Sequence, residues 1–358
     1  MKNAPIYICV FSSAYLILCI FMYYSYTNVW TGNNGVRNSK IYTLPELEWD
    51  DYRKNPEYHG KTDPETSNSL YVMILDSENK AQPFQCIMKK QWVDQLSQKR
   101  FVDGIEYYSR IHWTNPECNI STIVTPKSKY NAINPSSWIL LNSFKMFLER
   151  SNAAWLFVIN DAAYMDVGKF ESFFDEYKKK KMPRNNIYIT GSCIEQRYFF
   201  QMLLIDSGIL MSRKAVQDFT ASNVMNTWEV TCEVGINADE TLAQVGDQIY
   251  IYVRNSAENR FVGREFRNLS DFSILEKREF QHLKKCEVPD VYINNPPGEQ
   301  GICSSEITPF KNIIIWAAAG NKISKLDFLE KAPQMLKNVP DYLGYFWAQT
   351  RPQLCKLM

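Results

Sequence analysis

The chain has 358 residues, a formal net charge of +1 and 14% aromatic residues. Near-neutrality excludes the basic excess that a nucleic-acid-binding surface needs. The length allows one large domain or two small ones, and the aromatic content suits a large core or stacking surfaces for carbohydrate.

Residues 1–5 read as a short tail and residues 6–26 as a transmembrane signal-anchor. Ile6–Tyr24 has no charged side chain and is rich in Ile, Leu, Phe, Cys and Tyr. A run of that length spans a bilayer as a helix. Tyr23, Tyr24, Tyr26 and Trp30 would form an aromatic belt at one interface. No clear small-residue cleavage site follows Tyr24, which favours an uncleaved anchor over a signal peptide. Lys2 is the only charged side chain before the span, and Arg37 and Lys40 lie well beyond it. Flanking charge therefore leaves the orientation open. Residues 27–69 are polar with scattered Pro and Gly and read as a stem. Residues 70–288 read as the folded domain. Residues 289–358 read as an extension that packs on it, with the apolar run Ile313–Ala319.

Within the domain, Leu70–Leu75 is an apolar strand that ends at Asp76-Ser77. Phe84–Leu96 has helical spacing, with Ile87, Met88, Trp92 and Leu96 as an apolar stripe. Thr122–Thr125 is a short strand. Ser137–Glu149 places Trp138, Leu141, Phe144 and Leu148 at helical spacing. Trp155–Ile159 is a continuous apolar run, as in a strand covered on both faces. Asn160-Asp161 follows at its carboxyl end, where open α/β sheets bind ligands; both residue types also favour plain turns. Phe170–Lys180 is an amphipathic helix with a cationic end that suits the helix dipole. Asn186–Gly191 is a further strand. The alternation predicts an α/β fold with a mostly parallel sheet.

Of the nine cysteines, Cys9 and Cys19 fall in the span. The others are Cys86, Cys118, Cys193, Cys232, Cys286, Cys303 and Cys355. No C-x-x-C pair occurs, which argues against zinc. In an oxidising compartment several would form disulfides, and the odd number leaves one free or paired with another chain. Asn119-Ile-Ser121 and Asn268-Leu-Ser270 are N-glycosylation acceptor triplets.

Several spaced motifs together resemble the fringe-like glycosyltransferases, in the branch of the core 1 β1,3-galactosyltransferases (T-synthases) and their chaperone. Leu70–Leu75 followed by Trp92 is similar to the start of that domain. Trp155–Tyr164 followed by Phe170 resembles the Trp-led strand that runs into Asp-Asp-Asp-Thr-Tyr. Ser207–Ala215 resembles the Gly-rich loop that opens a helix. Ala238–Ala243 resembles Asp-Asp-x-Thr-Leu-Gly, Phe261–Leu269 the Gly-x-x-x-Phe-His segment, and Gly301–Glu306 the Cys-Cys-Ser-Asp motif. The resemblance covers roughly Leu70–Ala319, and the motifs stand in the family's order. It implies a GT-A, Rossmann-like α/β fold behind an N-terminal transmembrane helix. It also implies a single-pass type II protein of the Golgi or endoplasmic reticulum with the domain in the lumen. The implied reaction is inverting transfer of galactose from UDP-galactose to O-linked GalNAc on glycoproteins.

Such transfer needs a base for the acceptor hydroxyl and positive charge for the leaving diphosphate. The resemblance implies Mn²⁺, held by the outer aspartates of Asp-x-Asp and a histidine. Here Asn160, Asp161 and Ala162 fall on the triplet, and Phe266-Arg267 on Phe-His. Trp138-Ile139-Leu140 falls on Trp-Lys-Thr, and Ile205-Asp206-Ser207-Gly208 on Gly-Gly-Ala-Gly. No metal ligand set is therefore expected. Asp239 matches the base position, with a helix N-cap as its alternative role. Asp76, Asp161, Ser207, Gly208 and Arg267 are the candidate donor-binding residues. Arg267 would offset diphosphate charge in place of the metal. Two readings stay open. One is an active transferase that takes a UDP-sugar and a glycoprotein acceptor. The other is an inactive paralogue serving a T-synthase-like enzyme as chaperone or accessory. Homo- or hetero-oligomers are compatible with either.

Overall fold

The computed structural model describes residues 68–77, 80–125, 136–180, 182–196, 200–251, 258–263, 269–286, 307–317, 324–346 and 353–357. The anchor 6–26, the stem up to 67, Arg267, Asn268, Cys303 and the Gly301–Glu306 motif lie outside the described residues. Among the described residues, no helix is long and apolar enough to cross a membrane.

The core is a seven-stranded sheet in the order β3-β4-β2-β1-β5-β10-β7. Its strands are β1 (Leu70–Leu75), β2 (Val102–Ser109), β3 (Thr114–Asn115), β4 (Ile120–Val124), β5 (Trp155–Asn160), β7 (Ile189–Gly191) and β10 (Ile209–Ser212). β4, β2, β1 and β5 run parallel. β10 runs antiparallel to both β5 and β7, and β3 antiparallel to β4. The expected mostly parallel sheet is thus a mixed sheet with a parallel centre. β8 (Cys193–Gln196) and β9 (Phe200–Leu203) form a separate hairpin before β10.

The two crossovers at the centre pass on opposite faces. β1 leads to β2 through α1 (Pro83–Met88), a π-turn at Lys89–Val93 and α2 (Asp94–Ser97). The predicted helix Phe84–Leu96 is this broken helix. Met88, Trp92 and Leu96 pack on Leu70, Val72 and Ile74 in the main core. β4 leads to β5 through α3 (Ser136–Arg150), whose Phe147 meets Tyr71 from the other face at a ring separation of 5.5 Å. The main-core face also takes α4 (Val167–Lys178), with Phe170 5.0 Å from Phe157. The helix α4 begins before Phe170 because Asp166 caps it, accepting from the Lys169 N–H. The α3 face takes α5 (Arg213–Phe219), α6 (Met225–Val234) and α7 (Ala238–Gln248).

The C-terminal residues join this frame. β6 (Ala163–Met165) follows β5 and pairs antiparallel with β13 (Ile315–Ala317), which pairs parallel with β11 (Phe261–Val262). α8 (Leu269–Lys277) lies between β11 and β12 (Ile307–Pro309) in sequence. α9 (Lys325–Asn338) packs on α1. β12, β14 (Leu343–Phe346) and β15 (Gln353–Lys356) make a small sheet of their own.

Cys86 is bridged to Cys118, and Cys286 to Cys355; Cys193 is also disulfide-bonded. The unpaired cysteine among the described residues is Cys232. It is fully buried on α6, with its thiol pushed up to about 12 by that burial. It is therefore free rather than linked to another chain.

Gly208 sits between the 3₁₀ turn Ile205–Ser207 and β10 with φ +93°. A Cβ there would come within 2.3 Å of Cζ of Phe157, a fully buried ring of β5. Only glycine relieves both the backbone and the contact. We predict that Gly208→Ala destabilises the domain by about 2–5 kcal/mol, adding strain to overpacking. Urea denaturation measures it. Phe157→Leu in the same chain should recover part of the loss by opening the space. A Gly208→Ala variant of unchanged stability would show that the close contact is absent.

Candidate functional site

The strand order places β1 between β2 and β5, and the crossovers leave on opposite faces. The carboxyl ends of β1 and β5 therefore flank the topological switch point, where a crevice for ligand opens in such sheets. β1 delivers Asp76 and Ser77 there, and β5 delivers Asn160 and Asp161 in register with them (Leu75 opposite Asn160). The Asp161 N–H donates to the Leu75 carbonyl at 3.1 Å, so the strand geometry carries through the turn.

Strand alternation sends Asn160 and Asp161 to opposite faces. Asp161 enters the face of α1 and is completely buried. Its Oδ1 accepts from Ser77 Oγ at 2.6 Å and from the Ser77 N–H at 3.3 Å. Its Oδ2 accepts from Gln85 Nε2 at 2.8 Å. Gln85 is held for this by the start of α1, where its Oε1 accepts from the Gln82 N–H at 2.9 Å. Burial pushes the Asp161 carboxyl up to about 6, opposed by the bonds from Ser77 and Gln85 and raised further by nearby Asp76. Lys325, at the start of α9, donates from Nζ to Ser77 Oγ at 2.7 Å and lies 5.2 Å from the Phe84 ring centre.

Asn160 turns to the α3 face, and its amide donates to Asp206 Oδ1 in the 3₁₀ turn. Asn160 and Asp206 are both half-exposed. Asp239, in the first turn of α7, is buried and accepts from the Ile205 N–H at 2.8 Å. The N-cap of α7 is Asn237, which accepts from the Glu240 N–H at 2.9 Å. The capping alternative for Asp239 is thereby corrected: Asp239 holds the loop and does not cap the helix. Ser137 on α3 meets Thr241 at 2.8 Å and docks α3 against the start of α7.

The remaining candidates face inward. Asp76 is buried and accepts from Ser109 Oγ and Trp113 Nε1, each at 2.7 Å. Ser207 is completely buried, 3.5 Å from the Leu204 carbonyl. Gly208 is fixed by Phe157, as described above. The structure thus brings Asp76 and Asp161 together at the carboxyl ends of β1 and β5, and Asp239, Ser207 and Gly208 to the loop side.

The set does not fit a divalent metal. Ala162 offers no donor. Both carboxylate oxygens of Asp161 already accept hydrogen bonds inside the core, and the Asn160 amide is engaged by Asp206. Among the described residues no cluster of His, Cys, Asp and Glu could hold an ion.

Ser77, Gln85, Asp206 and Lys325 were not singled out as site residues from the sequence. Ser77 and Asp206 had a local signal, each lying beside a chosen position. Gln85 shows one only as the third residue of a helix opened by Gln82. Lys325 has none, because a contact of 248 residues' separation leaves no local trace.

No family model and no curated protein matches the chain. Among solved structures, the galactosyltransferase LgtC in complex with donor and acceptor sugar analogues is 8% identical. It spans 76% of this chain and 98% of its own, with a TM-score of 0.40. The glycosyltransferase GlyE of Streptococcus pneumoniae, in its apo form, is 8% identical over 76% of this chain, at a TM-score of 0.36. This chain spans 62% of GlyE. A glycosyltransferase involved in glycosylation of the major capsid of PBCV-1 is 10% identical over 73% of this chain and 99% of its own, at 0.32. No residue can be carried across at these values, and the functional reading rests on this chain's own residues.

The Asp161 carboxyl yields a pH signature. In the unfolded chain it titrates near 3.9, and in the fold at about 6. Between those values the fold holds a proton that the unfolded chain has lost. Its contribution to stability is therefore fully present below about pH 4 and is lost as pH rises through about 6. We predict that the native protein loses on the order of 2–3 kcal/mol relative to Asp161→Asn between pH 4 and pH 7. Urea titrations of both proteins at the two pH values measure this. Parallel pH dependence of the two would mean that Asp161 titrates normally.

Proposed function

We propose that the domain binds a nucleotide diphosphate sugar at the carboxyl ends of β1 and β5 without a metal ion. We further propose that it belongs to mucin-type O-glycosylation, as a galactosyl transferase of the core 1 kind. The observation that carries the binding reading is the switch point between β1 and β5. Polar side chains from both strands meet there, in the place where an α/β sheet takes its ligand. The sugar, the acceptor and the reaction come from the motif resemblance alone.

For transfer, Asp239 is the proposed base. Its bond to the Ile205 N–H positions the carboxylate, which would take the acceptor proton. The leaving diphosphate needs a cation, and Arg267 is the sequence candidate. Asp239→Asn keeps an acceptor for Ile205 while removing the charge. Transfer should then fall by about 10²–10⁴-fold, with UDP affinity unchanged by calorimetry. Undiminished transfer by that variant would remove Asp239 as base.

A second reading is an inactive relative that serves a T-synthase-like enzyme as chaperone or accessory. Two observations favour it. Asp161 has both oxygens occupied in the core, and Asp239 is engaged in holding a loop. The readings separate in a thermal-shift titration with UDP-galactose, with and without Mn²⁺. A transferase should be stabilised in proportion to occupancy, to the same degree with the ion or without it. A chaperone should show no shift and should co-purify with a T-synthase-like partner. A shift that requires Mn²⁺ would overturn the metal-free assignment.

We place the domain in the lumen of the Golgi or endoplasmic reticulum behind the 6–26 anchor. Asn119 is exposed, in a turn with φ +52° that asparagine tolerates better than most residues. Peptide N-glycosidase should lower the apparent mass of the cellular protein, and Asn119→Gln should remove the part of the shift owed to that site. An unglycosylated protein cleaved by protease from the cytosolic side would reverse the topology.

A further inference from the structure

We propose that the amino-terminal end of the central sheet is a lipid-facing surface, with Arg100, Lys179 and Lys180 on anionic headgroups and Met182 and Ile187 in the bilayer interface. The proposal goes beyond the transfer reading and rests only on the 6–26 anchor. It turns the β1/β5 crevice, at the opposite end of the same strands, away from the membrane and toward an incoming acceptor.

Topology gathers these residues at one end. Asn68 precedes β1, Arg100 precedes β2, and residues 179–188 lead from the end of α4 into β7, which two reversals set parallel to β5. Asn68 donates from Nδ2 to the Lys178 carbonyl at 3.4 Å, so the chain enters the domain beside the lysine run. The carboxylates on this part of α4 are engaged: Glu171 by Lys99 at 2.6 Å, Asp175 by Lys178 at 2.7 Å and Glu176 by Arg260 at 3.8 Å. Arg100, Lys179 and Lys180 are exposed and join no ion pair among the described residues, which leaves a cationic surface. Between the lysines and β7 a turn presents Met182, at φ +56°, with its carbonyl accepting from the Asn185 and Asn186 N–H groups at 2.9 Å. Met182 is 59% exposed and Ile187 41%. An acidic peptide would call for the cations alone. Cations beside outward apolar side chains suit a lipid surface, where headgroup attraction and apolar burial add. A random-coil tether the length of residues 27–67 spans roughly 35 Å. The domain is therefore held close to the bilayer, and weak docking is enough.

The test reconstitutes the full chain in nanodiscs of phosphatidylcholine, alone or with about one-third phosphatidylserine. Mass spectrometry of peptides then follows oxidation of Met182 by dilute hydrogen peroxide. That oxidation should be slowed about 3- to 10-fold in the anionic discs and restored by high salt. Each lysine near such a surface strengthens docking about fivefold, so Lys179→Gln with Lys180→Gln should return the rate to that in neutral discs. Lys179→Arg with Lys180→Arg keeps the charge and should keep the protection. Equal oxidation in the two discs would overturn the proposal and leave the anchor standing. Protection that persists in detergent without lipid would also overturn it, by assigning the cations to the acidic stretch Glu46–Glu65 or to a second copy of the chain. A chain that enters neither disc would end the anchor reading and this proposal together.

Discussion

The strand β5 is covered on both faces, and this constraint organises everything around it. Trp155, Phe157 and Ile159 fill one side and Leu156 and Val158 the other, all of them buried. A strand so enclosed cannot slip by one residue without exchanging its two cores. The polar residues that leave it therefore have fixed destinations. Asn160 must turn toward the α3 face and Asp161 toward α1. A pair that reads in sequence as one polar turn becomes two separate sites about a common backbone.

This explains why the elements were legible and the site only partly so. Leu70–Leu75, Ser137–Glu149 and Trp155–Ile159 carry their pattern in the local spacing of apolar residues, and the fold follows that spacing closely. The β10 reversal was not legible. Its apolar run is compatible with either direction, and the choice is made by the hairpin β8–β9 and the turn Ile205–Ser207 that precede it. Asp76 and Asp161 lie at the strand ends and Asp239 behind the loop. What each carboxylate faces depends on partners such as Ser77, Gln85, Trp113 and the Ile205 N–H, which only the assembled fold supplies. Lys325 arrives from the far end of the chain.

The loop 205–208 shows how one substitution pattern can carry two meanings. Glycines there invite a reading of close approach by a ligand. Gly208 is required instead by the Phe157 ring, and Ser207 packs inward. The loop's polar offering is Asp206, half-exposed and bonded to Asn160. The loop is anchored from behind by Asp239, which gives it a defined position relative to β5. Core packing and site geometry are the same interaction here, so a change at Phe157 or Asp239 acts on both.

The electrostatics of the crevice close the account. Asp76 and Asp161 put two buried carboxyl groups at the same end of the sheet, and Asp76 raises the cost of ionising Asp161. Burying a carboxylate is expensive, and each of the two accepts hydrogen bonds from neighbouring side chains. Lys325 lowers the Asp161 carboxyl, though less than burial raises it. Removing the Lys325 charge would therefore raise the Asp161 carboxyl further and move the loss of its proton, and of the stability that proton brings, to higher pH.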